Sequence, residues 1–229
     1  DRYGVGERAF RVDVRRKVLG YGKYPDDIDE TDFPDLAYAS AVRSKYPRAR
    51  VVKIDADRAR ALPGVLAVLT AADVPVNAVG HLIYDWDVMI AEGDITRCVG
   101  DAIALVVAED MATCERAKKL VKITYEELEP VRSIDEARAE GAPRLHDRFL
   151  AFGNWVELEN NICQQRHVVR GDAATALAGA AHKVTRTFST PFTEHAFLEP
   201  ECAVAFPYKG GVKVCSTDQG AYDSRKEIA

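Results

Sequence analysis

Apolar positions along this chain fall into short runs and alternations whose spacing separates strands from helices. Residues 65–69 (VLAVL) and 103–107 (IALVV) are unbroken apolar runs of strand length, each bounded by turn or polar residues, as in strands covered on both faces. Residues 36–43 and 50–54 predict two further strands, and residues 55–62 a short helix ended by Pro63-Gly64, which sends the chain into the next strand. Asp110 stands where an N-cap belongs. A helix from there to Leu120 puts Cys114, Ala117 and Val121 on one inward face and sets Glu115 and Lys119 as an outward i,i+4 pair. Residues 121–125 then return as a strand, so this stretch predicts a βαβ-like unit.

Elsewhere the pattern changes character. Residues 17–32 combine Gly20, Gly22 and Pro25 with Asp26, Asp27, Asp29, Glu30 and Asp32, and predict a solvated loop. Residues 126–143 are charged, with one helical stretch at 134–139, and mark the boundary between two modules. Beyond it, Gly171-Asp172 opens an alanine-rich helix through Ala181. Residues 182–188 alternate as a strand with Val184 and Phe188 on one face. Cys202, Val204 and Phe206 repeat the alternation, and Lys209-Gly210-Gly211 turns the chain into a strand at 212–215. A helix-like stretch, 224–229, follows without a cap. These elements predict an α+β fold: a lead-in (1–16), a first domain (17–132), a linker (133–160) and the beginning of a mixed α/β domain (161–229).

Composition narrows the classes. With 229 residues and 47% hydrophobic positions the chain can bury a sizeable core, which excludes a disordered polymer or a disulfide-stapled miniprotein. Its 31 basic and 36 acidic side chains give a net charge of −5, without the cationic surplus that phosphate-backbone binding needs, so nucleic acid is not an expected partner. No apolar run reaches the ~20 residues of a membrane span. Five cysteines without CxxC spacing fit a reducing, cytoplasmic setting and structural roles as small hydrophobes. The first residue is Asp, and the last stretch is uncapped; both suggest part of something longer.

No P-loop, GxGxxG, HExxH or GxSxG pattern occurs. The lone histidines His81, His146 and His167 read as surface or hydrogen-bonded residues. The densest polar cluster is 193–201 (TEHAFLEPE), with three carboxylates and one imidazole. If extended, it presents His195, Phe197, Glu199 and Glu201 on one face and Glu194, Ala196 and Leu198 on the other, so only part of it can converge on one ligand. Two readings stand at this point: the wall of a cofactor or substrate pocket, or a loop whose carboxylates cap backbone donors. A metal site needs three or four ligands at a spacing this cluster does not fix.

Taken in order, several segments resemble the large molybdenum-binding subunit of the xanthine dehydrogenase and aldehyde oxidase family. They are Arg11 and Asp13 with residues 17–28 (KVLGYGKYPDDI), residues 63–75 (PGVLAVLTAADVP) and residues 99–108 (VGDAIALVVA), which are similar to that family's α/β hammerhead domain. Residues 170–172 (RGD), 180–182 (AAH), Phe188 and 198–200 (LEP) are similar to the start of its molybdopterin-binding domain. The resemblance implies a hydroxylase that oxidises an N-heterocycle or aldehyde, a small molecule, with water as oxygen source. It also implies a molybdopterin-type molybdenum cofactor, iron–sulfur and FAD groups in partner subunits or domains, and an oligomer. The family's glutamate base and glycine-rich pterin loop belong to later portions of the subunit, so no catalytic residue is assigned within these 229. A family position that usually holds a glutamine beside the metal corresponds to Thr193, a shorter side chain with one hydroxyl. Thr193 and Glu194 are therefore the expected cofactor-pocket residues. Two alternatives belong to other classes: a noncatalytic assembly module that docks partner subunits, and a stand-alone hydrolase using His195 and the nearby carboxylates.

Overall fold

A computed structural model of the chain describes residues 4–80, 83–151, 153–162, 165–197 and 201–229. A one-turn helix, α1 (Val14–Val18), precedes β1 (Tyr38–Arg43), β2 (Ala49–Asp55), α2 (Asp57–Arg60), β3 (Val65–Thr70), β4 (Ala102–Ala108), α3 (Met111–Lys118) and β5 (Lys122–Glu127). After them come α4 (Ile134–Arg138), β6 (Arg148–Ala151), β7 (Asn154–Glu157), α5 (Ala173–Gly179), β8 (Ala203–Tyr208), β9 (Gly211–Ser216) and α6 (Ala221–Ile228). This is the α+β class expected.

The core of the first module forms around β4. Its Ile103 points to one side, and Ala104, Val106 and Ala108 to the other, and all four are fully buried, which is why this segment carries no polar alternation. Antiparallel β1 and β3 flank it, with Ser40 opposite Val106 and Leu69 opposite Leu105. The inward face of α3 closes on this sheet through Cys114 and Ala117, small enough for the helix backbone to come near, and the Cys114 thiol donates to the Tyr38 carbonyl at 3.2 Å. At the start of α3 the Asp110 carboxylate accepts from the Thr113 N–H at 2.7 Å and the Thr113 hydroxyl at 2.8 Å, the expected N-cap. Gly64 turns with φ +86°, and a Cβ there would sit 3.3 Å from the Thr113 methyl. The Pro63-Gly64 turn is therefore packed as well as bent.

Three expectations for this module are corrected. The βαβ-like unit does not form: both edges of β4 are taken by β1 and β3, and β5 pairs antiparallel with β2 in a second sheet, Ile54 opposite Ile123. The helix stops at Lys118, so Lys119 is its C-cap, and Lys118 makes the pair with Glu115, at 2.8 Å. That side chain also donates to the Ser40 hydroxyl at 2.9 Å, a sheet-side acceptor within its reach. The loop at 17–32 is not wholly solvated, since its 3-10 turn at Pro25–Asp27 packs on β8.

The linker is fastened to the first module by polar bonds. Arg97 and Asp87 pair while only 13% and 10% exposed, and Arg97 Nε donates to the Leu145 carbonyl at 3.1 Å. Asn161 accepts from the Leu145 N–H at 2.8 Å and donates to the Ala137 and Pro143 carbonyls at 2.9 and 3.0 Å. A hairpin, β6 with β7, lies inside the region read as linker. In the last third, Asp172 caps α5 by accepting from the Thr175 N–H at 3.0 Å, and α5 ends at Gly179 rather than Ala181. The strand expected at 182–188 is absent: the segment is exposed and, among the described residues, no strand pairs with it, and alternation alone does not make a ladder. The β8–β9 hairpin forms as expected, turning at Lys209-Gly210. Among the described residues no helix is long and apolar enough to cross a membrane.

Candidate functional site

Residues 183–197 run without helix or strand and leave their side chains exposed. Thr193 and Glu194 lie in this segment. The Glu194 carboxylate folds back to accept from the His195 N–H at 2.8 Å and the Ala196 N–H at 3.3 Å. This is a local cap, one of the two readings open for the cluster, and it still leaves the carboxylate at the surface. Ala196 has φ +52°, a left-handed conformation unusual for a residue with a Cβ, and it ends the two-residue alternation that would put His195 and Phe197 on one face. Leu198, Glu199 and Pro200 of the same cluster lie outside the described residues. Three rings of the segment, Phe188, Phe192 and Phe197, stand more than half exposed. Covering each would contribute roughly 2–3 kcal/mol.

Later in the chain β8 is held to the first module. Cys202, Val204 and Phe206 alternate inward as expected, and Phe206 meets Phe33 with ring centroids 4.7 Å apart. The Cys202 thiol lies beside Asp26; burial, then the Asp26 charge and hydrogen bond, push its pKa up. The loop carrying Phe33 is itself tied down. Lys23 and Asp32 pair at 2.6 Å, and the Tyr38 hydroxyl at the start of β1 donates to Glu30. On another side Lys226 of α6 lies 5.2 Å from the centre of the Tyr84 ring. Sequence reasoning missed these contacts because it read the acidic run as solvent-facing; the signal available was Phe33, an apolar ring directly after that run.

A half-buried cleft next to the linker is lined by Ile83, His146, Phe149 and Leu158. His146 Nδ1 sits 2.8 Å from the Asp85 carbonyl, and its ring lies 5.1 Å from that of Trp86. His167 Nε2 is 2.7 Å from Gln165 Nε2. Both histidines have the local partners expected of them, whereas His81 lies outside the described residues. Among the described residues no group of three or more His, Cys, Asp or Glu side chains is arranged to hold a metal ion.

Comparison with known proteins gives these features a family. The description "Aldehyde oxidase and xanthine dehydrogenase, a/b hammerhead domain" matches residues 19–129, and "Molybdopterin cofactor-binding domain" matches residues 155–229. The chain belongs to the xanthine dehydrogenase and aldehyde oxidase family. It is 34% identical over 228 residues to the nicotinate dehydrogenase large molybdopterin subunit of Eubacterium barkeri, covering 98% of this chain and 50% of that one. It is also 32% identical over 206 residues to a xanthine dehydrogenase molybdenum-binding subunit of Escherichia coli, covering 86% of this chain and 26% of that one. Among solved structures, quinoline 2-oxidoreductase from Pseudomonas putida aligns with a TM-score of 0.76 at 28% identity, over 93% of this chain and 27% of that one. The chain thus spans half the length, or less, of the curated relatives it matches.

Proposed function

We infer that this chain is part of a molybdenum-dependent hydroxylase subunit that oxidises an N-heterocycle or aldehyde, with oxygen taken from water. The carrying observation is that two family descriptions, one for each module, match in the same order as in that subunit, with 34% identity to the nicotinate dehydrogenase subunit across 98% of the chain. The molybdopterin cofactor, when bound, supplies the redox centre that accepts the substrate's two electrons; the protein binds and orients.

The chain's own atoms fit such a group as one wall. A pterin with its phosphate needs donors and acceptors that are not consumed by a ladder. Residues 183–197 offer backbone outside any strand, with the hydroxyls of Ser189, Thr190 and Thr193 exposed beside it. In this reading Thr193 presents its hydroxyl to the pocket, directly or through a water, and Glu194 faces the same pocket with its carboxylate oriented by the His195 N–H. The module division that goes with it is residues 17–132, a linker at 133–160, and the cofactor-binding portion from 161. Iron–sulfur and flavin subunits or domains carry the electrons onward in a cytoplasmic, oligomeric complex; that the nicotinate dehydrogenase relative is a large molybdopterin subunit supports an assembly of several chains.

The test is metal and pterin analysis of the full-length protein purified with its partners, followed by turnover with nicotinate-like rings, purines and aldehydes. Molybdenum and pterin near one per subunit are expected, and finding neither overturns the reading. Thr193→Val is expected to lower turnover while molybdenum content stays at the parent level. Equal turnover in parent and variant removes Thr193 from the pocket.

A further inference from the structure

Between the first module and the linker lies a cleft of about 140 Å³ lined by five arginines, Arg48, Arg50, Arg97, Arg144 and Arg148. They come from separate stretches of sequence: the start of β2, the loop before β4, and the β6 region. Three aspartates, Asp87, Asp94 and Asp147, share the lining, so positive side chains exceed negative ones. The question is how much of the guanidinium charge is already neutralised.

Arg97 is the neutralised member, paired with Asp87 in a largely buried contact, and it holds the floor of the cleft together. Arg48 and Arg148 are steadied by groups that orient a guanidinium without cancelling its charge, and Arg50 and Arg144 by a backbone carbonyl together with one exposed carboxylate each. Arg48 donates to the Glu129 carbonyl at 3.1 Å, Arg50 to the Gly93 carbonyl at 2.6 Å, and Arg144 to the Leu158 carbonyl at 2.7 Å. Arg148 lies over the Trp155 ring at 4.3 Å. The carboxylates of Glu126 and Glu157, 3.3 and 3.7 Å from Arg50 and Arg144, are exposed and are not part of the cleft lining. A guanidinium has five N–H donors, so each arginine keeps donors beyond those spent on its anchor. Preoriented guanidinium donors around a small polar cleft are the chemistry that recognises phosphate and sulfate, because the planar fork matches two oxygens of a tetrahedral anion.

We propose that this cleft is a binding site for a tetrahedral oxyanion, phosphate or sulfate, held by Arg50 and Arg148 with Arg48 and Arg144 at its rim. The occupant crosslinks the β2 sheet to the linker hairpin. Asp94 lines the same cleft and is the group that opposes occupancy: burial, then the charge of Asp87, already push its carboxyl pKa up, and an incoming anion meets its charge as well.

The experiment is calorimetric titration of the full-length protein, with its partner subunits, using sodium sulfate and, separately, sodium phosphate against sodium chloride of matched ionic strength. One saturable oxyanion per chain is expected, with both tetrahedral anions binding and chloride giving no isotherm. The double variant R50Q/R148Q weakens sulfate binding at least tenfold, and Asp94→Asn tightens it severalfold, each variant being checked for an unchanged circular-dichroism melt. Heats that follow ionic strength whatever the anion overturn the site, as does undiminished affinity in folded R50Q/R148Q. If that double variant does not fold, Asp94→Asn decides alone, and sulfate binding no tighter than the parent's overturns the proposal.

Discussion

Gly64 and Cys98 show how single positions carry local physics into testable behaviour. Gly64 sits at φ +86° with the Thr113 methyl and Glu109 carboxylate close to where a Cβ would stand. Gly64→Ala therefore combines left-handed strain with a tight contact and is expected to cost about 1–3 kcal/mol, read as a lower urea midpoint with an unchanged slope. Cys98 is exposed, yet its surroundings disfavour the thiolate. Burial of the sulfur and its hydrogen bond to Asp101, 3.1 Å away, raise the thiol's pKa to about 11. The thiolate is the nucleophile, so alkylation of Cys98 by iodoacetamide is expected to be slow at pH 8 and to accelerate only above about pH 10. Mass-spectrometric labelling checks this, and rapid modification at pH 8 contradicts it. The Pro63-Gly64 turn could be read from sequence because it is a dipeptide property. The Thr113 contact could not, since it joins residues distant in the chain.

Elements whose ends are set locally were the legible ones. The N-caps Asp110 and Asp172 announce themselves by standing before helical spacing, and the β8–β9 hairpin by its glycines. Pairing was not legible: nothing near Ile123 says that its strand partner is β2 rather than β4, and nothing near Val184 says that no partner arrives. The Asp110 cap gives a prediction with a sign. The Thr113 N–H and then the Thr113 hydroxyl, both donating to it, hold the Asp110 carboxyl below the usual carboxylate range. A lowered folded pKa stabilises above the unfolded value, and that contribution disappears as pH falls through the folded one. Asp110→Ala is therefore expected to lower the urea midpoint at pH 7, with the gap between variant and parent narrowing as pH drops below about 4. Parallel denaturation curves at the two pH values test it, and a gap independent of pH removes the electrostatic part of the cap.

Across the whole molecule the feature with most consequence is the tether from β1 through the acidic loop to β8. Its links are the Tyr38–Glu30 hydrogen bond, the Lys23–Asp32 pair and the Phe33–Phe206 ring contact. The strand held at the far end of this tether, β8, follows the candidate pocket segment in the chain, and it is held by a loop whose composition looks purely solvated. Sequence could supply the family and the two modules through ordered motifs, and it singled out Thr193 and Glu194, but a contact made by one aromatic among acidic neighbours leaves no periodic trace. Phe33→Ala tests the tether. It removes the ring contact without touching the β4 core, so amide exchange is expected to quicken in β8 and β9 while β4 and α3 keep their protection. Tyr38 adds a pH arm. The hydrogen bond to Glu30 is the chief cause that pushes its pKa up to about 12, which favours the neutral phenol in the folded chain. Stability of that kind is fully present below the unfolded value near 10 and is lost as pH rises through 12. Exchange in β8 and β9 of the parent should then approach that of Phe33→Ala as pH climbs through this window, after correction for the intrinsic base-catalysed rate. If Phe33→Ala instead loosens β4 to the same degree as β8, the loop belongs to the first module's core and does not act as a tether between the two.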